Sequence, residues 1–235
     1  MAGVSAAYLA ENGFSGAPAI TMDSDDTISF WKDLGQKWLI KEQYFKPYPV
    51  CRWAQAPIEA VLNLKFKHNI SSKDVKNIEI HTFHEAIRLA ISEPKTTEEA
   101  QYSTSYPCAV ALVNGDVGVK EVSENSFRDP ETLRISKSLK MMENDYCNSH
   151  FPSQRFASAK IELNNGNILE TGFVNPRWTA ENPPRASELK NKFFKLSNPI
   201  IGENNSKNIE LAVNNLKTNA ELNDLTSLLY EPINN

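Results

Sequence analysis

The sequence predicts an α+β fold with helical segments at both ends, and three observations carry that reading. Residues 76–83 (KNIEIHTF) alternate polar and apolar side chains, as a half-buried strand does. Residues 155–163 and 168–174 flank an Asn164-Asn165-Gly166 turn, the clearest hairpin signal in the chain. Apolar residues recur at helical spacing near both termini, and strands do not alternate strictly with helices as a doubly wound sheet requires.

Taken in order, Val4, Ala7, Tyr8 and Ala10 form a short helical stripe that Asn12-Gly13 ends. A helix of about ten residues is marginal alone in water, so it must pack on something. The chain is therefore expected to be the later part of a longer protein. Residues 15–36 read as loop, with an acidic cluster at Asp23, Asp25 and Asp26, and residues 37–45 read as a strand. Lys46-Pro47-Tyr48-Pro49 is an extended turn, because its two prolines exclude regular structure. A helix over 53–67 follows, with Pro57 in its first turn, then the strand 76–83 and a helical stretch over 84–91. Thr96 or Thr97 caps a helix whose first turn holds Glu98 and Glu99. Residues 106–114 form a buried helix of small side chains that stops at Asn114-Gly115, and 130–139 a surface helix opened by Pro130. After the hairpin, a Pro/Asn-rich connector leads to amphipathic helices near 185–196, 206–216 and 219–230.

The chain has 235 residues, 40% hydrophobic and 23% charged, enough to bury a core without metal or disulfide staples. Its net charge of −4 argues against a nucleic-acid protein, whose footprint is a basic face. Cys51, Cys108 and Cys147 are widely spaced, an odd set without CxxC, which fits reduced thiols in a cytoplasmic protein. No run approaches the roughly 18 apolar residues of a membrane span. His81 and His84, three apart, would fall on opposite faces of a strand and chelate no common metal. His68 and His150 read as surface residues, and neither a Gly-rich phosphate loop nor a GxSxG or HExxH motif occurs.

Two segments are chemically suggestive. In residues 44–53 two prolines hold Lys46 and Arg52 in a rigid, aromatic-lined turn ahead of a helix, which suits a carboxylate-bearing ligand. The alternative is a proline-rich turn with two solvated cations. In residues 101–107 a hydroxyl-rich run opens onto the small-residue helix. Tyr106 there could donate a proton or bind a substrate oxygen, or simply fill the core above a helix cap.

Five stretches in order, AGVSAAYLAENGFSGAP, FKPYPVCRWAQAPIEAVL, EEAQYSTSYPCAVALVNG, FPSQRFASAKIELNNG and NPPRASELKNKF, resemble the MmgE/PrpD family. That family includes 2-methylcitrate dehydratase, cis-aconitate decarboxylase and iminodisuccinate epimerase. The resemblance implies an all-helical domain built from both chain ends with an α+β lid, a mixed or antiparallel sheet with helices, inserted between them. On that mapping residues 1–25 end the first helical segment, 26–178 form the lid and 179–235 return to the helical domain. It implies catalytic roles for Lys46, as carboxylate ligand, and Tyr106, with Arg52, Gln55 and Ser103 binding substrate. Cys51 and Gln55 stand where decarboxylase-like members carry histidines. The implied activity is cofactor-free lyase or isomerase chemistry on a small di- or tricarboxylate, with no metal. The family's principal acid and base residues belong to an N-terminal helical segment outside this chain, so the chain alone is expected to be an incomplete, inactive enzyme. Its expected partners are a second copy of itself or a complementing helical chain, and no nucleic acid or membrane. The alternative is a non-catalytic remnant or half of a split enzyme, acting as a binding or assembly module.

Overall fold

A computed structural model describes residues 1–217 and 221–230, and the chain divides into two units, Met1–Gln43 and Tyr44–Asn235.

The first unit holds helices α1 (Ala2–Glu11) and α2 (Ile20–Asp23) with single 3-10 turns at Ile28–Trp31 and Leu39–Glu42. None of its residues is buried. Helix α1 stops at Asn12, as its sequence requires, with Gly13 at φ 82°. The strand expected over 37–45 does not form. A strand needs a neighbour for its backbone groups, whereas here a 3-10 turn is closed locally by the Lys37–Glu42 ion pair at 2.9 Å.

The second unit contains the α+β fold. In chain order it holds α3 (Gln55–His68), β1 (Val75–Thr82), α4 (His84–Ile87), α5 (Thr97–Tyr102), α6 (Tyr106–Asn114), α7 (Pro130–Ser138) and β2 (Leu139–Glu143). Helix α8 (Asp145–His150), β3 (Ser158–Leu163), β4 (Ile168–Glu170), α9 (Ala186–Asn215) and α10 (Leu222–Tyr230) complete it. The sheet order is β2-β1-β3-β4. Strand β1 is central, parallel to β2 and antiparallel to β3, and β3–β4 is the expected hairpin, extended by an Ala157–Val174 bridge.

One sheet face is apolar and covered. Ile78, Ile80 and Ile161 are buried there, with α3 against β3 and α6 between α3 and α7. Helix α6 approaches closely because Cys108, Ala109 and Ala111 are small, and so are Ala56 and Ala60 of α3. The other face is wet. Across it runs a row of paired residues, Lys140, Glu79, Lys160 and Glu170, of alternating charge.

The helix ends follow local chemistry. Thr96 accepts from the Glu99 N–H at 3.2 Å, Asp129 from the Thr132 N–H at 2.7 Å, and Gly115 ends α6 at φ 75°. Several elements differ from expectation. Strand β2 and helix α8 have no counterpart in the sequence pattern, the stretch over 84–91 is helical only to Ile87, and His84 lies beyond the strand, at the head of α4. His150 ends α8 with Nδ1 2.8 Å from the Tyr146 carbonyl. Helix α7 is less superficial than its pattern implies, since Thr132, Ile135 and Ser136 are buried. The helices expected at 185–196 and 206–216 run on as α9, kinked at Gly202 (φ 78°) just after Pro199. Of the helix expected over 219–230, residues 219 and 220 lie outside the described residues and Leu222–Tyr230 is helical.

Candidate carboxylate-binding site

The loop over 44–52 is held from beneath by Gln55, which is fully buried. Its Nε2 donates to the carbonyls of Tyr48 and Val50 at 3.2 Å and of Cys51 at 3.3 Å, and its Oε1 accepts from the Tyr48 N–H at 3.3 Å. Prolines 47 and 49 cannot supply backbone donors, so a buried amide does the stapling. The Cys51 N–H adds a 2.7 Å bond to the Gln101 carbonyl at the end of α5. Deeper still, the Tyr48 hydroxyl donates to Glu59 and accepts from Arg177, both at 3.0 Å, while Arg177 Nε meets Glu59 at 2.5 Å. Burial, then the Glu59 charge, pushes the Tyr48 phenol well above its ordinary range, so it is a neutral donor at pH 7.

On this scaffold Lys46 is exposed, with Nζ 3.2 Å from the Val50 carbonyl. Its own carbonyl accepts from Lys192 of α9. Burial, and then the charges of Lys46 and Lys195, hold the Lys192 ammonium below its ordinary value. Lys195, one turn on, pairs with Asp116. Lys192 also lies 6.0 Å from the Trp178 ring, whose residue has a left-handed backbone at φ 61°. Segment 177–178 runs alongside the loop, since the Phe45 N–H bonds the Trp178 carbonyl at 3.1 Å and Arg52 Nη1 bonds the Arg177 carbonyl at 3.4 Å. Arg52 is only 8% exposed, with its guanidinium 4.0 Å over the Tyr44 ring.

Ser103 and Tyr106 belong to the neighbouring junction of α5 and α6. Ser103 Oγ donates to the Ile91 carbonyl at 2.8 Å and accepts from the Tyr106 N–H at 3.0 Å, which caps α6 and ties it to the loop after α4. The Tyr106 side chain is buried, edge-on to Phe127, with its hydroxyl 3.4 Å from the Glu121 carbonyl. Burial, followed by Asp129 and Glu121, pushes that phenol up to about 12. Tyr106 lines a cleft of about 440 Å³ with Lys120, Glu121, Arg128 and Asp129.

Lys46, Arg52 and Gln55 thus share one loop, whereas Ser103 and Tyr106 share one helix junction. The Cys51–Gln101 bond joins these two regions, and among the described residues no hydrogen bond or ion pair links Lys46 to Tyr106 directly. Sequence reasoning missed Lys192, Lys195, Glu59 and Arg177. The i,i+3 spacing of Lys192 and Lys195 was a visible signal for one basic helix face. The pairing of Arg177 with Glu59, far apart in the chain, left none.

A model of the MmgE/PrpD C-terminal domain matches residues 48–218, and the chain belongs to that family. The match takes in Arg52, Gln55, Ser103, Tyr106 and Lys192 and begins two residues after Lys46. No curated protein matches the chain. Among the described residues no helix is long and apolar enough to cross a membrane.

Proposed function

We propose that this chain is the carboxylate-binding lid and C-terminal portion of a cofactor-free, cytoplasmic lyase or isomerase acting on a small di- or tricarboxylate. The observation that carries this reading is the meeting of Lys46 and Lys192 at one loop stapled by Gln55. A fixed cation beside a carboxylate neutralises charge and makes the adjacent carbon acid easier to deprotonate. That is the role of Lys46 here, with Arg52 beside it on the loop. Tyr106, protonated at neutral pH, is a hydrogen-bond donor to a substrate oxygen rather than a base. Removal of the α-proton and departure of a leaving hydroxyl need a separate base and acid. A partner helical segment, on the same polypeptide or another, supplies them, and a homodimer is the default assembly. On this reading the domain limits are 1–25, 26–178 and 179–235.

The test is turnover on a panel of di- and tricarboxylates by the chain assembled with such a helical segment. Lys46→Ala is expected to cut turnover at least tenfold. Unchanged turnover would remove Lys46 from the cleft.

A second reading, a non-catalytic binding or assembly module, is favoured by the exposure of apolar residues such as Phe30, Ile40 and Tyr230. Turnover by the isolated 235-residue chain would eliminate it.

A further inference from the structure

Among the described residues, Arg52 and Arg155 each bury an Nε–H that has no hydrogen-bond partner. A buried donor without a partner forfeits its hydration with nothing in exchange, and more so when charged, so native structures rarely keep one. Here two lie in the same neighbourhood. Trp53, next to Arg52, meets Phe151 at 5.7 Å and Phe83 at 5.8 Å. Phe156, next to Arg155, packs against the same aromatic cluster. Arg52 and Arg155 thus each adjoin, along the chain, a member of one aromatic cluster, and the charge of Arg155 is felt at Arg52.

Their surroundings do not neutralise them. Arg52 rests on the Tyr44 ring and makes one long bond to the Arg177 carbonyl. Glu181 is within electrostatic reach of Arg52, but its carboxylate is bonded to its own backbone and to Thr179. Burial first holds the Arg52 guanidinium below its ordinary value; Tyr44 opposes this, Arg155 adds to it, and Glu181 opposes it. Two like charges, each with a buried unpartnered Nε–H and, among the described residues, no acid bonded to either, suit an anion.

We propose that Arg52 and Arg155 form an oxyanion subsite, separate from Lys46, that takes a planar carboxylate or a phosphate-like group. Its assignment to the second carboxylate of a dicarboxylate rests on the reading of the Lys46 loop given above. Lys46 and Arg52 leave the same stapled loop, so one dicarboxylate can address both. A monocarboxylate of the same length would address only one.

The experiment is calorimetric titration of the full 235-residue chain with succinate, butyrate and inorganic phosphate at constant ionic strength. Succinate is expected to bind at least tenfold more tightly than butyrate. Arg155→Gln should abolish that advantage while leaving butyrate binding unchanged, whereas Lys46→Ala should weaken both. Without anion, the Tm of Arg155→Gln should not fall, because the substitution relieves repulsion with Arg52. Should Arg155→Gln fail to fold, Arg155→Lys keeps the charge, loses the planar fork, and is expected to lose most of the same advantage. Arg155-dependent binding of phosphate without succinate would uphold the subsite and overturn the dicarboxylate reading. Succinate and phosphate binding that ignores both Arg155 substitutions, or no binding of either by the wild-type chain, would overturn the subsite.

Discussion

Met1–Gln43 and the unit that follows are built from similar residues and reach opposite ends of the burial scale. The first carries Val4, Tyr8, Phe14, Phe30, Trp38 and Ile40, all exposed, and buries nothing. The second buries Ile58, Val61, Ile78, Ile80, Leu112, Ile135 and Ile161 almost completely. Apolar content alone therefore does not make a core. A core needs two faces presented to each other, and the sheet with α3 and α6 provides them while an isolated ten-residue helix does not. What holds the first unit's shape is local: turns, and the Lys37–Glu42 pair.

This contrast can be broken at several levels of force. Hydrogen exchange should show the largest difference, with amides of α6 protected more than about a thousandfold beyond those of α1, since α6 exchanges only on global opening. Equal protection would mean that α1 has found a covering surface. Next, Ile80→Ala should cost about 2–5 kcal/mol in denaturant unfolding, and Phe30→Ala, at 75% exposure, less than about 0.5 kcal/mol. Gln55→Ala should cost about 1–3 kcal/mol, because it strands the Tyr48 N–H and removes the one amide that bonds all three loop carbonyls. It should also weaken anion binding at Lys46 without touching that residue.

The smallest effect is electrostatic. Arg134 forks onto Glu131 and donates to the carbonyls of Ser72 and Val75, joining α7 to the start of β1. The hydrogen bond from Arg134, then one from Ser72, holds the Glu131 carboxyl at about 2, below its ordinary value. A depressed folded-state pKa means stability that is complete above the unfolded value, near 4.3, and is lost as pH falls towards 2. The pair is largely solvated, so the loss should stay under about 1 kcal/mol. Acid unfolding of wild type and Glu131→Gln should therefore converge only as pH approaches 2 and differ at pH 6.

The legible parts of the fold were those whose signals are local. Strand β1 announced itself by alternation, the hairpin by Asn164-Asn165-Gly166, and α6 by small residues ending in Asn114-Gly115. Strand β2 reads Leu-Lys-Met-Met-Glu, all good helix formers, and is a strand only because the edge of β1 offers it a ladder. Residues 37–45 fail in the opposite sense, having strand-like alternation and, among the described residues, no strand paired with them. The site divides the same way. The cations of the 44–52 loop were visible because the prolines that shape it are adjacent to them. Arg155, Arg177 and Lys192 come from more than 100 residues away, and nothing in a single sequence marks which distant cation folds onto which loop.

The Gln55 staple has a kinetic and entropic consequence. A loop whose turn is already bonded along Tyr48, Val50 and Cys51 has lost its freedom during folding, not at the moment of an encounter. Whatever meets Lys46 meets a surface of fixed shape, so recognition there follows a lock rather than a closing hand. Discrimination between ligands then shows up in how long they stay, not in how fast they arrive.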